Sequence, residues 1–344
     1  MSAVSNSASV HRLVAIDAMR FIAMLAIVII HALPSDSPAP DWRSLLVHAC
    51  RFAVPCFFLA SGFFFASKIS DIKAIKRQTV RLLSIYVLAL IAYIAITPLT
   101  WFQWPDLHNP LRVVLFIIGG PAFHLWFLPT LVLVQWILYL LRPYGFGVIF
   151  AIGAVAYIFG LIIAPYHYLA HLPDLQLIDK TWQTISRPFS ALLFVSIGVW
   201  LAERKPSIKL ATAVLMTIGG LGLQMAESMW LYQSGFGTFN SVDFSIGTLF
   251  YGVGIFCLAT LYRGPMIPQS ASWGRLTLYM YVSHMFFLYI LHPAFLSHAP
   301  LPSLTLCLLT SVFSLLGAWI FSRVKMSKFF SGHVHRKLRA TPVE

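Results

Sequence analysis

Residues 20–31, RFIAMLAIVIIH, place ten consecutive apolar residues between an arginine and a histidine. The run has the composition of a membrane helix, in which an ionisable side chain that faces lipid costs at least about 2.5–3.5 kcal/mol. Eleven steps of 100° return a helix to within about 20° of its starting direction, so Arg20 and His31 share a face, about 16 Å apart along the axis. Asp17 lies on this face too. We expect the face to point into a helical bundle; the alternative is a structural Asp17–Arg20 pair with an interfacial His31.

The composition extends this interpretation to the whole chain. Of its 344 residues, 59% are hydrophobic and only 10% are charged, and the mean hydropathy of +0.80 lies far outside the range of soluble domains. Apolar stretches of roughly 17 residues or more recur along the chain, each about long enough to cross a membrane as a helix. Because these stretches lack the two-residue alternation of barrel strands, we expect an all-α integral membrane protein, a bundle of about ten transmembrane helices.

The predicted spans form a single polytopic domain, residues 1–344, with a basic cytoplasmic tail at 324–344. The spans are residues 12–33, 45–66, 82–100, 123–141, 146–164, 187–202, 208–232, 243–262, 275–296 and 301–323. If the N-terminus is cytoplasmic, 18 of the 24 Lys and Arg residues fall on the inner side. The positive-inside rule then places both termini in the cytoplasm. We expect a multi-pass protein of the cytoplasmic (inner) membrane. A cleavable signal peptide is the alternative for the N-terminus, although Asp17 and Arg20 would interrupt its apolar region.

The net charge and the cysteines exclude other classes of partner. A net charge of +13 is compatible with nucleic-acid binding, but the basic residues are dispersed among the loops between spans, so orientation in the membrane explains them better. The four cysteines all lie in apolar runs and indicate neither a disulfide framework nor a zinc site. His167 and His171 are four residues apart but lie between prolines, with no nearby Glu or Cys, and we expect no metal there.

Four stretches of the sequence together resemble a known family. They are AIDAMRFIAMLAIVIIH (15–31), RFAVPCFFLASGFFF (51–65), HLWFLPTLVL (124–133) and LTLYMYVSHMFF (276–287). In this order, and with about ten helices, the chain resembles the membrane-bound acyltransferase family 3, whose members transfer acyl groups to cell-surface glycans. The family commonly has glycine after the motif arginine, where this chain has Phe21.

The resemblance implies a membrane O-acyltransferase that uses acetyl-CoA or another acyl-CoA. The acceptor would be a hydroxyl of a surface or exported polysaccharide, or of its lipid-linked precursor. Transfer from a thioester to a hydroxyl needs a base, and His31, near the outer end of its helix, suits that task. His124 opens the fourth span from the outer side and could orient His31, bind the acceptor or stabilise the oxyanion. A cap or packing role is the alternative for His124.

A basic segment is the candidate site for the donor. Lys73, Lys76, Arg77 and Arg81 can form one stripe on a short helix, which would bind the phosphates of coenzyme A. The alternative is a topology signal that contacts anionic membrane lipids. Arg20 lies above this segment and would orient a phosphate or the pantetheine arm.

The remaining site candidates are expected to bind substrate. Arg51 could neutralise an anionic acceptor group or a developing charge, and pairing with a loop aspartate is its alternative. Trp126 belongs to the third motif, and Tyr279 and His284 lie near mid-membrane on the ninth span.

Two other functions are also compatible with the sequence. A transporter or exporter of a sugar or small anion would use the buried Asp17, Arg20 and His31 as a path, although repeated halves and paired broken helices are not evident. A sensor or scaffold without turnover is the third possibility.

Overall fold

The computed structural model describes residues 2–33, 40–96, 113, 124–166, 179–235, 239–240, 243–264, 270–291 and 300–323. The elements within these ranges are all helical, which confirms the predicted fold class. The predicted tail at 324–344 and the pair His167 and His171 lie outside the described residues.

Eleven α-helices, numbered in chain order, account for most of the described residues. They are α1 (Ser2–Ala32), α2 (Trp42–Cys50), α3 (Ala53–Phe65), α4 (Ile72–Ile96), α5 (Phe127–Leu141), α6 (Gly145–Ile163), α7 (Asp179–Arg204), α8 (Leu210–Gln233), α9 (Ile246–Leu261), α10 (Ser270–Leu291) and α11 (Pro300–Arg323). Two 3₁₀ helices, Ala66–Lys68 and Arg142–Tyr144, follow α3 and α5.

Several of these helices are long and apolar enough to cross a membrane. Six such stretches occur in the described part of the chain: Val14–Ala32, Trp42–Lys68, Ile72–Ala95, Phe127–Ile163, Leu210–Gln233 and Ser303–Arg323. The chain is therefore an integral membrane protein. The count of ten spans, the inner membrane and the cytoplasmic termini stay predictions.

The first helix lies inside the bundle, with its ionisable face turned away from lipid. It packs against α3, α9, α10 and α11. Ile16, Ala23 and Met24 are completely buried, whereas Ile22 exposes 57% of its surface and marks the outward side. The expectation that the face carrying Arg20 and His31 points inward is confirmed by the contacts of both side chains with α10.

Close backbone contacts join neighbouring helices at glycines. A Cβ on Gly62 of α3 would lie 2.1 Å from the carbonyl oxygen of Val195 in α7, and a Cβ on Gly198 would lie 2.1 Å from that of Leu59. The two helices therefore approach backbone to backbone, as small residues allow in membrane bundles. This crossing fixes α7, which carries Arg187, against α3.

Capping interactions fix two chain segments beside the candidate site. The Asp41 carboxylate accepts from the Ser44 amide at 2.8 Å and begins α2. Ser245 caps α9 in the same way, and Glu227 of α8 accepts from the Ile246 and Gly247 amides at 3.1 and 2.8 Å. A carboxylate at a helix N-terminus satisfies otherwise unpaired amides. These bonds fix the position at which α9 begins, and with it the end of the segment that precedes α9.

Candidate active site

Three histidines meet at one end of the bundle, here called the His31 end: His31 of α1, His284 of α10, and His124 in the turn before α5. The ring centroids of His31 and His284 lie 5.4 Å apart, and those of His284 and His124 lie 5.2 Å apart. His124 and His284 expose 2% and 0% of their surface. The structure therefore brings together three residues that are more than ninety positions apart from one another in sequence.

Tyrosine hydroxyls hold this cluster in place. The Tyr281 hydroxyl donates to the His124 carbonyl oxygen. The Tyr93 hydroxyl donates to the Val282 carbonyl at 2.7 Å and accepts from the Phe286 amide at 3.1 Å, and its ring lies 5.1 Å from that of His124. Tyr281 of α10 therefore binds the backbone at His124, and Tyr93 of α4 binds the backbone of α10.

The hydrogen bonding of His284 assigns its tautomer. Its Nδ1 lies 2.6 Å from the Tyr281 carbonyl oxygen, and because a carbonyl oxygen only accepts, Nδ1 carries the proton. The Nε2 atom is buried without a hydrogen-bond partner among the described residues. His284 therefore offers an acceptor nitrogen inside the cluster.

A cluster of one carboxylate and two guanidinium groups lies next to the histidines. Arg51 Nη1 lies 3.1 Å from Asp243 Oδ1, and Arg187 Nη2 lies 3.6 Å from Asp243 Oδ2. Arg51 also donates to the Asn240 carbonyl at 2.5 Å. Both Arg187 and Asp243 interact electrostatically with His31. Two cations around one anion leave a net positive charge beside the histidines.

The ionisation of Asp243 follows from these neighbours. Asp243 lies before α9. About half of its side-chain surface is accessible (52%), and the other half is buried against the protein. That burial raises the pKa of the carboxyl group, but the positive charges of Arg51 and Arg187 lower it more strongly, and the net pKa is below its usual value. Asp243 is therefore a stable anion at neutral pH.

A further buried histidine, His48, packs behind the ion cluster. His48 Nε2 donates to the Phe239 carbonyl at 2.9 Å, and the two rings lie 4.4 Å apart. Gln224 donates to the His48 carbonyl at 2.9 Å and accepts from Thr248 at 2.8 Å. The network joins α2, α8 and α9, and it fixes the segment that carries Asn240 and Asp243.

The aromatic residue of the third motif lies beside the ion cluster. The Arg187 guanidinium lies 5.0 Å from the centre of the Trp126 ring, a cation–π geometry. The ring of Phe58 lies 5.9 Å from Trp126 on another side. Trp126 therefore contacts Arg187 and α3 in the structure, and its predicted role in binding substrate stays a prediction.

A separate polar group lies in the N-terminal half of the apolar stretch Val14–Ala32 of α1, and this side of the bundle is here called the Arg20 end. Arg20 Nη1 pairs with Asp17 at 2.8 Å, and Nη2 donates to Thr277 Oγ1 of α10 at 3.1 Å. The guanidinium also lies 5.6 Å from the ring of Phe64, near the end of α3. By helix geometry it lies about 16 Å from His31, so Arg20 does not belong to the histidine cluster.

The bulky residue after the motif arginine has a clear packing partner. The Phe21 ring lies 5.1 Å from that of Trp273 in α10. Phe21 therefore fills the space between α1 and α10 next to Arg20.

The basic stripe lies at the Arg20 end, at the start of α4. Lys73, Lys76, Arg77 and Arg81 are all exposed. Asp71 accepts from the Lys73 amide at 2.8 Å and lies 3.9 Å from the Arg77 guanidinium. Apart from that exposed ion pair, the stripe presents its charges outward, where phosphates or lipid headgroups can reach them.

One predicted site residue, Tyr279, packs against a neighbouring helix, and the tyrosine beside the histidines is Tyr281. Tyr279 packs its ring 5.1 Å from Phe321 of α11, whereas Tyr281, two residues later, has its ring 5.9 Å from those of His124 and His284. Tyr281 precedes His284 by three residues, a helical spacing that was available as a signal. Tyr93, Arg187 and Asp243 were missed as well.

The predicted donor and acceptor residues fall into two groups, and Arg20 and His31 of these groups lie about 16 Å apart along α1. The histidines and Arg51 are at the His31 end, whereas Asp17, Arg20 and the basic stripe are at the other. No group of three or more His, Cys, Asp or Glu side chains suited to a metal ion occurs in the described ranges.

This chain is similar in sequence to part of several known proteins. A serine/alanine racemase of Enterococcus gallinarum is 27% identical over 78% of this chain and 40% of its own length. Two amino-acid racemases of Enterococcus faecalis are 28% and 31% identical over 44% of this chain and 23% and 22% of theirs. This chain thus spans less than half the length of these relatives. No solved structure gives a significant match.

The family match covers nearly all of the described helices. The acyltransferase domain family matches residues 13–323, from the first motif to the end of α11. On this match, the chain belongs to the membrane-bound acyltransferase family 3.

Proposed function

We propose that the protein transfers an acetyl group from acetyl-CoA, bound at the Arg20 end, to a hydroxyl group of a glycan at the His31 end. The acceptor class is a surface or exported polysaccharide or its lipid-linked precursor. The observation that carries the proposal is the meeting of His31, His124 and His284 beside a positively charged cluster, with Arg20 and the basic stripe lying toward the other side of the bundle.

In this proposal His31 is the general base. The acceptor oxygen attacks the thioester carbonyl while its proton passes to His31, and collapse of the tetrahedral intermediate breaks the carbon–sulfur bond. The leaving thiolate takes the proton from His31, so that an ester and a free thiol are formed. The net positive charge of Arg51, Arg187 and Asp243 would stabilise the transient oxyanion.

The donor would enter along the basic stripe. Guanidinium and ammonium groups bind phosphates strongly, and Lys73, Lys76, Arg77 and Arg81 are exposed for such contacts. Arg20 is held by Asp17 and Thr277, which suits orientation of the donor rather than proton transfer.

Transport of a small polar molecule is the second candidate. Because the relative from Enterococcus gallinarum is a serine/alanine racemase, serine and alanine are suitable ligands to test. Against transport, ten apolar residues separate Arg20 from His31 along α1, so these side chains form no continuous polar path on that helix.

Acceptor acetylation by the purified protein tests the proposal. The protein is reconstituted in lipid nanodiscs with radiolabelled acetyl-CoA and supplied with acidic and neutral oligosaccharides, a lipid-linked sugar or serine. We expect label on a glycan, and His31→Ala should lower kcat by about 10²- to 10⁴-fold while thermal stabilisation by coenzyme A is retained. Full activity of His31→Ala would remove the proposed base. Stabilisation by serine or sugar alone, without turnover, would favour transport.

A further inference from the structure

One buried amide in the bundle has no internal partner. Gln135, in the second half of α5, exposes 0% of its surface, and neither its Nε2 nor its Oε1 has a hydrogen-bond partner among the described residues. Gln224 is equally buried, yet it donates to the His48 carbonyl and accepts from Thr248. Because buried polar atoms are almost always paired, the amide of Gln135 calls for a ligand or a water molecule.

The direction of this side chain follows from the geometry of α5. Leu133 and Leu140 expose 41% and 63% of their surfaces and mark the lipid side of the helix. At 100° per residue, Gln135 points about 160° away from Leu133 and about 140° away from Leu140. The side chain of Gln135 therefore faces the interior of the bundle.

Helix α5 leads from the histidines toward the basic stripe, and Gln135 lies in its second half. His124 is in the turn that precedes α5, and Gln135 is eight residues beyond Phe127, the first residue of that helix, or about 12 Å along its axis. The next residue, Trp136, donates to Thr79 Oγ1 of α4 at 2.9 Å, two residues after Arg77 of the basic stripe. A molecule that reaches from the stripe to the histidines would enter the bundle at the depth of Gln135.

We propose that Gln135 binds the amide groups of the pantetheine arm of the acyl donor. The inference rests on the proposed function, because it assumes that an acyl thioester of coenzyme A is the donor. Each amide of the arm has one N–H and one carbonyl group, which complement Oε1 and Nε2 of Gln135. A phosphate would satisfy the donor atom alone and would bring a charge into an apolar region.

Equilibrium binding to two fragments of coenzyme A tests this inference without requiring turnover. Pantetheine contains both amides and no phosphate, whereas adenosine 3′,5′-bisphosphate contains the nucleotide end without the arm. The variant Gln135→Leu has similar volume and no polar atom, and it should bind pantetheine about tenfold more weakly and the nucleotide with unchanged affinity. The double variant Arg77→Gln, Arg81→Gln should show the reverse pattern.

Two further measurements distinguish a loss of pantetheine binding from a loss of folding. Gln135→Leu should keep the thermal midpoint of the wild type without ligand, because it removes unpaired buried atoms rather than a bond, and Gln135→Asn should recover part of the pantetheine affinity. Equal affinity of wild type and Gln135→Leu for pantetheine, equal losses for both fragments, or no binding of pantetheine by the wild type would overturn the inference. Acetylation by the wild type is measured separately, and its failure would count against the proposed function instead.

Discussion

Individual side chains fix the three histidines to different degrees. His284 is held through Nδ1 by the Tyr281 carbonyl, and the Tyr281 hydroxyl donates to the His124 carbonyl. Tyr281 therefore contacts both histidines, through its carbonyl oxygen and through its hydroxyl group. Since small displacements of reacting groups can lower a rate strongly, Tyr281 is the residue whose removal should most disturb the cluster without removing a histidine.

The pair Tyr281→Phe and Tyr279→Phe tests this role. Loss of the Tyr281 hydroxyl removes a buried hydrogen bond to the His124 carbonyl, and we expect a loss of about 0.5–1.5 kcal/mol in stability and a fall in kcat of between about 10- and 100-fold. Tyr279→Phe, two residues away with its ring against Phe321, should change stability by less than about 0.5 kcal/mol. Acetylation kinetics and thermal unfolding measure both effects, and equal behaviour of the two variants would contradict the assignment.

Sequence motifs predicted the histidines better than their partners. His31, His124 and His284 stand in motifs whose order along the chain could be recognised. Asp243 and Arg51 are 192 positions apart, and only the fold brings them together. Arg51 was expected to pair with a loop aspartate as one alternative, and the structure shows this pair, but the sequence did not identify the partner.

Glycine contacts determine how closely the helices pack. A Cβ on Gly220 of α8 would lie 2.3 Å from the Tyr251 amide nitrogen in α9, whereas a Cβ on its neighbour Gly219 meets nothing within 4 Å. Adjacent residues of the same type therefore have opposite packing environments. The contact matters for the site because α8 carries Gln224 and Glu227, which hold the segment before α9.

The variants Gly220→Ala and Gly219→Ala are a matched test of this packing. Gly220→Ala forces the α8 and α9 backbones apart, and we expect a loss of about 1–3 kcal/mol or more. Gly219→Ala should be neutral or stabilise the protein by about 0.5–1 kcal/mol, because alanine is the better helix former. Thermal unfolding in detergent measures both, and tolerance of Gly220→Ala without loss would contradict the close approach.

Helix positions followed from apolar length, but helix breaks did not. The predicted span 45–66 is two helices, α2 and α3, interrupted at Arg51 and Phe52. A proline marks the interruption: Pro55, in the first turn of α3, has no amide hydrogen to donate to the carbonyl of Arg51, four residues earlier, so one continuous helix cannot form there. Tertiary contacts hold the break in place, because the Arg51 guanidinium is 7% exposed and binds Asp243 and Asn240.

Across the whole molecule, the charged and reactive groups are divided between the two ends of the bundle. The basic stripe is exposed at the Arg20 end, and at the His31 end His124 and His284 are buried and His31 is partly buried. Such a division suits a reaction whose donor and acceptor lie on opposite sides of a membrane. The positive-inside distribution of Lys and Arg predicts which side is which.

Removal of positive charge from the basic stripe should weaken binding of the acyl donor and leave the chemical step unchanged. The double variant Arg77→Gln, Arg81→Gln should raise the KM for acetyl-CoA by about tenfold or more with little change in kcat, since it removes binding common to substrate and transition state. The effect should shrink at high salt. Lys205→Gln, Lys209→Gln, in the exposed link between α7 and α8, is the control and should leave KM unchanged. Equal effects of the two double variants would indicate a general charge effect.

Proteoliposomes in which the protein has a known orientation test transfer across the membrane. The orientation is determined from a single accessible cysteine introduced at position 209, in the exposed link between α7 and α8 and outside the stripe. Labelled acetyl-CoA is enclosed on one side, and the glycan acceptor is supplied on the other. We expect labelled glycan only when acetyl-CoA is on the side of the basic stripe and the glycan is on the side of His31. Transfer only when both substrates are on the same side would contradict the account.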